Sequence, residues 1–271
     1  MKVLITGGGG FIAQSINQYL KNEFEVDCYN RSELNLMDIE HDSLKKYDAV
    51  IHCAIQGGTY GENNSNTFYN NLFMTENLIS NIDESAILIN IGSGAEFVKN
   101  SDDTPKDYYG LSKRIISKII LERDNSFNLR VFGCFGYGEN KNRFLNRCVN
   151  SDELVINKNI IIDYFYVDDL SRVIKFFLLN QDFVGSSRRA DLRNMDCVYS
   201  KKRNLLEIAN FVKEKYNKNL IIKVNDDSEK NNWEHIGNGS QIKKIQNFMK
   251  DQIIGFEHGV KEYYEKYKLS N

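Results

Sequence analysis

At 271 residues, with 41% hydrophobic and 27% charged side chains, the chain can bury one large core, or a core plus a small second lobe, and is neither disordered nor fibrous in composition. A net charge of −2 gives no general attraction to nucleic acid or to an anionic membrane surface, and no apolar run approaches the ~20 residues of a membrane span. Neither kind of partner is expected.

Five cysteines (Cys28, Cys53, Cys134, Cys148 and Cys197) are an odd number without metal-ligand spacing. They predict reduced thiols in a cytoplasmic protein and no metal site. Met1 and Lys2 lead straight into an apolar run and a glycine cluster, so no secretory leader is expected. The basic clusters Lys201–Arg203 and Arg188–Arg189 read as solvated loop faces.

In chain order, Lys2–Thr6 is the first buried-strand pattern, followed at once by Gly7–Gly10 and by Phe11–Leu20 at helical spacing. Strand, glycine turn and helix, spaced Gly7-x-x-Gly10-x-x-Ala13, suit a dinucleotide. Glycine lets a pyrophosphate approach the backbone, and the helix start offers it free N–H groups. Phe24–Tyr29 predicts the second strand. No carboxylate closes it; Asn30 and Arg31 stand there instead, which favours the 2′-phosphate of NADP over NAD, the alternative being an exposed loop cation.

Ala49–Ala54 is another buried strand. It ends in small Ala54, where a cofactor can pass closely, and contains His52, read as a packed core histidine. A Gly- and Asn-rich loop (residues 56–66) and a helix over Thr67–Asn81 come next. Strand Ala86–Ile91 then runs into Gly92-Ser93-Gly94, which puts Ser93 at a strand's carboxyl end.

The following helix, Tyr109 to about Glu122, sets Tyr109 and Lys113 one turn apart on one face. A phenol normally titrates near ~10, and a neighbouring ammonium pulls it toward neutrality, which suits acid–base work on a hydroxyl or carbonyl oxygen. Asn128–Phe135 predicts one further strand. Beyond Glu139 the pattern is less regular: helices at Leu170–Leu179, capped by Asp168 and Asp169, at Leu205–Tyr216 and at Gln241–Met249, with a strand at Leu220–Val224. Trp233 and the Asn-rich stretch around it carry no readable signal.

Taken together, Thr6-Gly-Gly-Gly-Gly-Phe-Ile-Ala13, Ser93, Tyr109-Gly-Leu-Ser-Lys113, Leu129–Gly136, Tyr164–Leu170 and Phe256–Tyr263 resemble the extended short-chain dehydrogenase/reductase family, in particular its nucleotide-sugar epimerases and reductases. Arg31–Asp38, Gly57-Gly58 and Asn71–Asn77 are most similar to the GDP-L-fucose synthases. The resemblance implies a doubly wound parallel α/β (Rossmann) domain over 1–138 and a smaller α/β substrate lobe over 139–271, with segments near 160–180 returning to the first.

It also implies NADP held by Thr6, Gly7, Gly10, Phe11, Ile12, Arg31, Asn35, Leu36, Ala54, Lys113 and Phe132. Ser93 would polarise a sugar keto oxygen, Tyr109 would protonate it, and Lys113 would hold the nicotinamide ribose and depress the tyrosine pKa. A homodimer is implied, paired through the helices at 67–81 and 109–123.

The sequence departs from that pattern at three places. Ala95 and Arg143 replace the cysteine and histidine that epimerise beside the ketone, Gly94-Ala95 replaces the dehydratases' Asp-Glu pair, and Ile162 replaces a diphosphate-binding arginine. Arg143 and Arg147 are the substitute cations for the diphosphate, a purely structural role for each remaining open. The expectation is an NADPH-dependent reductase of a nucleotide-activated 4-keto-6-deoxy sugar in deoxysugar or glycan-precursor biosynthesis. The alternatives are a nucleotide-sugar 4-epimerase with tightly held NAD, and a non-catalytic NADP-binding regulatory protein.

Overall fold

The apolar runs of the first half become parallel strands of one sheet: β1 (Lys2–Thr6), β2 (Glu25–Tyr29), β3 (Ala49–His52), β4 (Ile87–Ser93) and β5 (Ser126–Val131). Far down the chain, β10 (Asn194–Cys197) adds to β5, giving six strands in the order β10-β5-β4-β3-β1-β2. The structure, a computed structural model, describes residues 1–58, 63–97, 104–105, 107–225 and 234–270.

Alternation along the strands feeds two cores. Val3, Ile5, Ala49 and Ile51 face α1 (Phe11–Leu20) and α5 (Val167–Leu179). Leu4, Val50 and Leu88 face α2 (Ser65–Asn81) and α3 (Tyr108–Glu122). Helices on both faces of a parallel sheet are the doubly wound arrangement expected from the sequence.

Local chemistry fixes the helix starts. Asn64 and Thr67 form a reciprocal capping box on α2, and the Asp107 carboxylate accepts the Gly110 N–H at 2.7 Å to cap α3. α1 starts at Gly10 without a side-chain cap, which leaves its first N–H groups free of side-chain partners.

The expected single strand over Asn128–Phe135 is two. β5 stops at Val131, and β6 (Gly133–Phe135) pairs with β9 (Tyr164–Tyr166) in a separate small sheet. The chain leaves the main sheet at Phe132, where Gly133 passes so close to Tyr164 that an added Cβ would lie 3.0 Å from its ring.

The second half contains α4 (Phe144–Asn150), β7 (Glu153–Ile156), β8 (Ile161–Ile162), α6 (Gln181–Gly185), α7 (Leu205–Lys215), β11 (Ile221–Val224), β12 (Glu234–His235), α8 (Ser240–Gln246) and α9 (Gly255–Ser270). β11 pairs with β7 and β12 with β8, both in parallel. Between them the chain sends α5 and β10 back to the main sheet. Val173, Ile174 and Phe177 of α5 are fully buried there, each contributing roughly 1.5–3 kcal/mol, well above the ~0–1 kcal/mol of a surface ion pair. Apolar packing therefore holds the two halves together.

Two expectations about charged residues change. Asp168 and Asp169 do not cap α5, whose N-cap is Tyr166. They lie in its first turn, and buried Asp169 accepts the N–H groups of Ile254 and Gly255 (3.0 Å each) at the start of α9. The 201–203 cluster is a solvated face only at Lys201, whose side chain is exposed. Lys202 pairs with buried Asp163 at 2.5 Å, while Arg203 pairs with Glu257 at 2.8 Å and lies over the Phe256 ring. The side chains of Arg188 and Arg189, and Trp233, lie outside the described residues. All five cysteines are free thiols, and no described helix is long and apolar enough to cross a membrane.

Candidate active site

A crevice runs along the carboxyl ends of the parallel strands, where open α/β sheets bind ligands. At its first end the glycine turn closes through the Gly10 N–H to the Gly7 carbonyl at 2.9 Å. Gly7 has a φ of +72° and sits against β3, so that a Cβ there would lie 2.7 Å from the Ala54 nitrogen. No other residue fits that turn.

A cavity of about 600 Å³ opens beside it, lined by Gly7, Gly10, Arg31, Asn35, Leu36 and Ala54. Cys53 and Ile55 also border a second cavity, of about 550 Å³, which contains Ser93, Tyr109, Lys113, Phe132, Arg143 and His235, with Phe11 and Ile12 on its wall. Sharing Cys53 and Ile55, the two form one crevice, with Ser93, Tyr109 and Lys113 at its second end. The glycine turn, the uncapped start of α1 and Arg31 suit a pyrophosphate and a 2′-phosphate in the first cavity.

Of the expected site residues, Thr6 and Arg147 line neither cavity. Thr6 is buried within the sheet. Its hydroxyl lies 2.9 Å from His52 Nδ1 and accepts the Ala54 N–H at 3.3 Å, so it supports the Ala54 wall of the cavity from behind. His52 is itself sealed between Thr6 and Thr75, and burial, with Lys113 adding to it, drops its pKa to about 3. It is a neutral core histidine, as its place inside a buried strand implied.

The trio is built by three local devices. Ser93 ends β4, accepts the Ala95 N–H at 3.1 Å, and receives support from Glu96, whose carboxylate accepts the Ser93 N–H at 3.0 Å. Tyr109 is in the first turn of α3, its N–H given to Asn63 Oδ1 at 3.0 Å, and its phenol lines the same cavity as the Ser93 side chain. Lys113, 5% exposed, donates from Nζ to the Ile91 carbonyl at 2.7 Å.

The tyrosine pKa differs from expectation. Burial raises it above its ordinary value; nearby Ser93 and Arg143 pull downward, and Glu96 and Asp107 push up. Lys113 is committed to Ile91 and does not bring the phenol toward neutrality in this state. Burial lowers Lys113 itself to about 8, against the opposing pull of Glu96. Tyr109 is thus held as a protonated donor beside an ammonium that has lost most of its water.

Four site residues escaped sequence reasoning. Asp107 and Asn63 had a weak signal as cap and loop residues. Glu96, 2% exposed and ion-paired with Arg130 at 3.8 Å, falls where a Ser-x-x-Glu capping box was legible. His235 had none, because it reaches the cavity on a two-residue strand beside Ile162 and rests edge-on to Phe132 at 5.0 Å.

A Rossmann sheet with a Ser–Tyr–Lys trio at its carboxyl edge defines the class of extended short-chain dehydrogenases and reductases. The profile of the NAD dependent epimerase/dehydratase family matches residues 3–190, and the chain belongs to that family. No curated protein sequence matches it. Among solved structures it is similar to a dTDP-4-dehydrorhamnose reductase from Clostridium acetobutylicum (15% identity, 99% of this chain and 100% of that one, TM-score 0.74). It is similar also to a GDP-mannoheptose C4 reductase from Campylobacter jejuni with NADP bound (17%, 98% of each chain, 0.77). A third is a GDP-L-fucose synthetase from Naegleria fowleri (16%, 100% and 93%, 0.76). At such identities the likeness carries the fold alone.

Proposed function

We propose that the protein is an NADPH-dependent reductase of a nucleotide-activated 4-keto-6-deoxy sugar. The observation that carries this reading is the Tyr109 phenol, sharing one cavity with Ser93 and with Lys113 one turn along its helix, at the inner end of a crevice that begins at the glycine turn. The cofactor bound there would supply a hydride to the keto carbon. Tyr109 gives its proton to the keto oxygen, and Ser93 hydrogen-bonds the same oxygen as charge develops on it. Lys113, anchored by Ile91, holds the ribose side of the crevice and offsets the negative charge left on Tyr109. Ala95 supplies no acid or base for exchange at carbon, which favours simple reduction.

Purified protein should oxidise NADPH when given such keto sugars. Turnover without added reductant, on tightly bound NAD, would point to a 4-epimerase instead. Cofactor binding with no turnover on any nucleotide sugar would point to a regulatory protein.

Arg31 and Ser32 line the ribose end of the first cavity, where an NAD-binding protein would place a carboxylate. Arg31→Asp should therefore weaken NADP by about tenfold or more, the worth of one charge-assisted contact, while leaving NAD unchanged or tighter. Competition binding of the two cofactors checks this. An unchanged preference would show that Arg31 does not read the 2′-phosphate.

The five free thiols suit a reducing, cytoplasmic setting. A homodimer through α2 and α3 belongs to the same reading, because Tyr69 and Phe73 of α2 are 66% and 45% exposed and Tyr108 of α3 is 45% exposed. Light scattering should give twice the 31.4 kDa of one chain, and a monomer mass would remove the dimer.

A further inference from the structure

Behind the second cavity lies a buried carboxyl that the reaction above does not use. Glu139 follows the turn at Gly136–Gly138, its side chain is sealed from solvent, and its Oε2 stands 3.4 Å from Nε of Arg143. Arg143 precedes α4, has a side chain 33% exposed, and lines the cavity that holds Ser93 and Tyr109. Tyr263 reaches in from α9 so that its phenol lies beside Glu139, yet neither carboxylate oxygen nor that phenol forms a regular hydrogen bond among the described residues.

A carboxylate in this position has lost water without gaining the donors that usually replace it. The cation it faces is Arg143. The other titratable groups around it are the Cys134 thiol on β6, the Cys148 thiol on α4, with Arg147 beyond it, and the Tyr263 phenol on α9. Burial pushes all three up, so they stay neutral.

We propose that Glu139 is a positioning residue for Arg143. As a carboxylate it holds the guanidinium at the cavity wall, and when the diphosphate of a nucleotide sugar draws Arg143 away, Glu139 takes up a proton from solvent. This rests on the reading of the second cavity as a nucleotide-sugar site. Where Glu139 is ionised before binding, the charge balances, with up to one proton entering from water for each guanidinium handed to the ligand.

Burial pushes Glu139 up to about 8 while Arg143 opposes, so losing Arg143 raises it further. A ligand that raises a pKa binds the protonated form more tightly. Affinity should thus weaken as pH rises above that midpoint, approaching ~tenfold per pH unit until the ligand-bound midpoint is reached.

Calorimetric titration of the NADP-saturated protein with UDP-glucose, GDP-mannose and dTDP-glucose tests this, in buffers of differing ionisation heat, from one pH unit below the midpoint to one above. Their diphosphates carry no titrating group in this range. Proton uptake should grow across the range for the probe that binds, and Glu139→Gln should lower it by up to one proton per ligand and make the pH dependence of Kd shallower, leaving only what Lys113, which also titrates at about 8, contributes. Carbon-13 carboxyl titration of the unmutated protein should show the Glu139 midpoint moving up on binding, which keeps the test independent of how the variant folds. Binding without proton uptake, uptake undiminished in Glu139→Gln, or a Glu139 midpoint that stays fixed would overturn the proposal alone. Failure of all three probes to bind would overturn the nucleotide-sugar reading, and this inference with it.

Discussion

Tyr109→Phe should lower kcat on a keto-sugar substrate by about 10²–10⁴-fold, equivalent to roughly 3–5 kcal/mol of barrier, while NADPH binds almost as before. The substitution removes one oxygen from a ring whose position is fixed by other groups. The Asn63 contact is to backbone, and Asp107 caps the same turn. The loss should therefore appear in turnover and not in folding or cofactor affinity. Full turnover in the variant would exclude Tyr109 as the proton donor.

The same chemistry sets a pH limit. Tyr109 is pushed upward and stays protonated, but Lys113 is lowered to about 8, so kcat/KM should fall as pH rises through that region and the ammonium is lost. A profile flat through that region would exclude Lys113 as the controlling cation.

The largest effect on stability is expected at Asp169. Its carboxylate accepts the Ile254 and Gly255 N–H groups at 3.0 Å each and the Tyr199 hydroxyl at 2.6 Å, and pairs with Arg172 at 3.0 Å, all in a fully buried position. Asp169→Ala strands four donors at once and opens the junction between α5 and the start of α9. Breaking a buried charged pair of this kind costs about 3–5 kcal/mol. For a domain of this size the midpoint of thermal melting should drop by roughly 6–15 °C. Asp169→Asn, which keeps one acceptor oxygen, should lose less. If Asp169→Ala melts within a degree or two of the parent, these contacts do not secure α9.

Much of the first half is written in local signals. The run at residues 2–6, the glycines at 7–10 and the pair Tyr109/Lys113 each have a fixed spacing that only a few backbone forms satisfy, and the resemblance joined them into one crevice. The second half is less legible because its elements are short and its contacts are distant in sequence. β10 has four residues, and nothing in Asn194–Cys197 shows that it will extend a sheet begun at Lys2.

His235 and Glu139 became part of the site only through pairing with β8 and packing by α9, neither of which leaves a periodic trace. The tyrosine pKa failed for a related reason. Spacing places a lysine near the phenol, but it does not reveal that the Ile91 carbonyl has claimed the ammonium.

The return of α5 and β10 to the main sheet limits how this scaffold can change its choice of ligand. Exchanging everything beyond residue 138 with a relative would carry off an edge strand and a helix that the first half needs for its own core. Selectivity can be regrafted only in the stretches on either side, from the Glu139 turn to β8 and from Val198 to the start of α9. These are also the stretches that deliver Arg143 and His235 to the cavity. Diversification on this frame therefore proceeds by replacing loops around a fixed staple, not by trading modules.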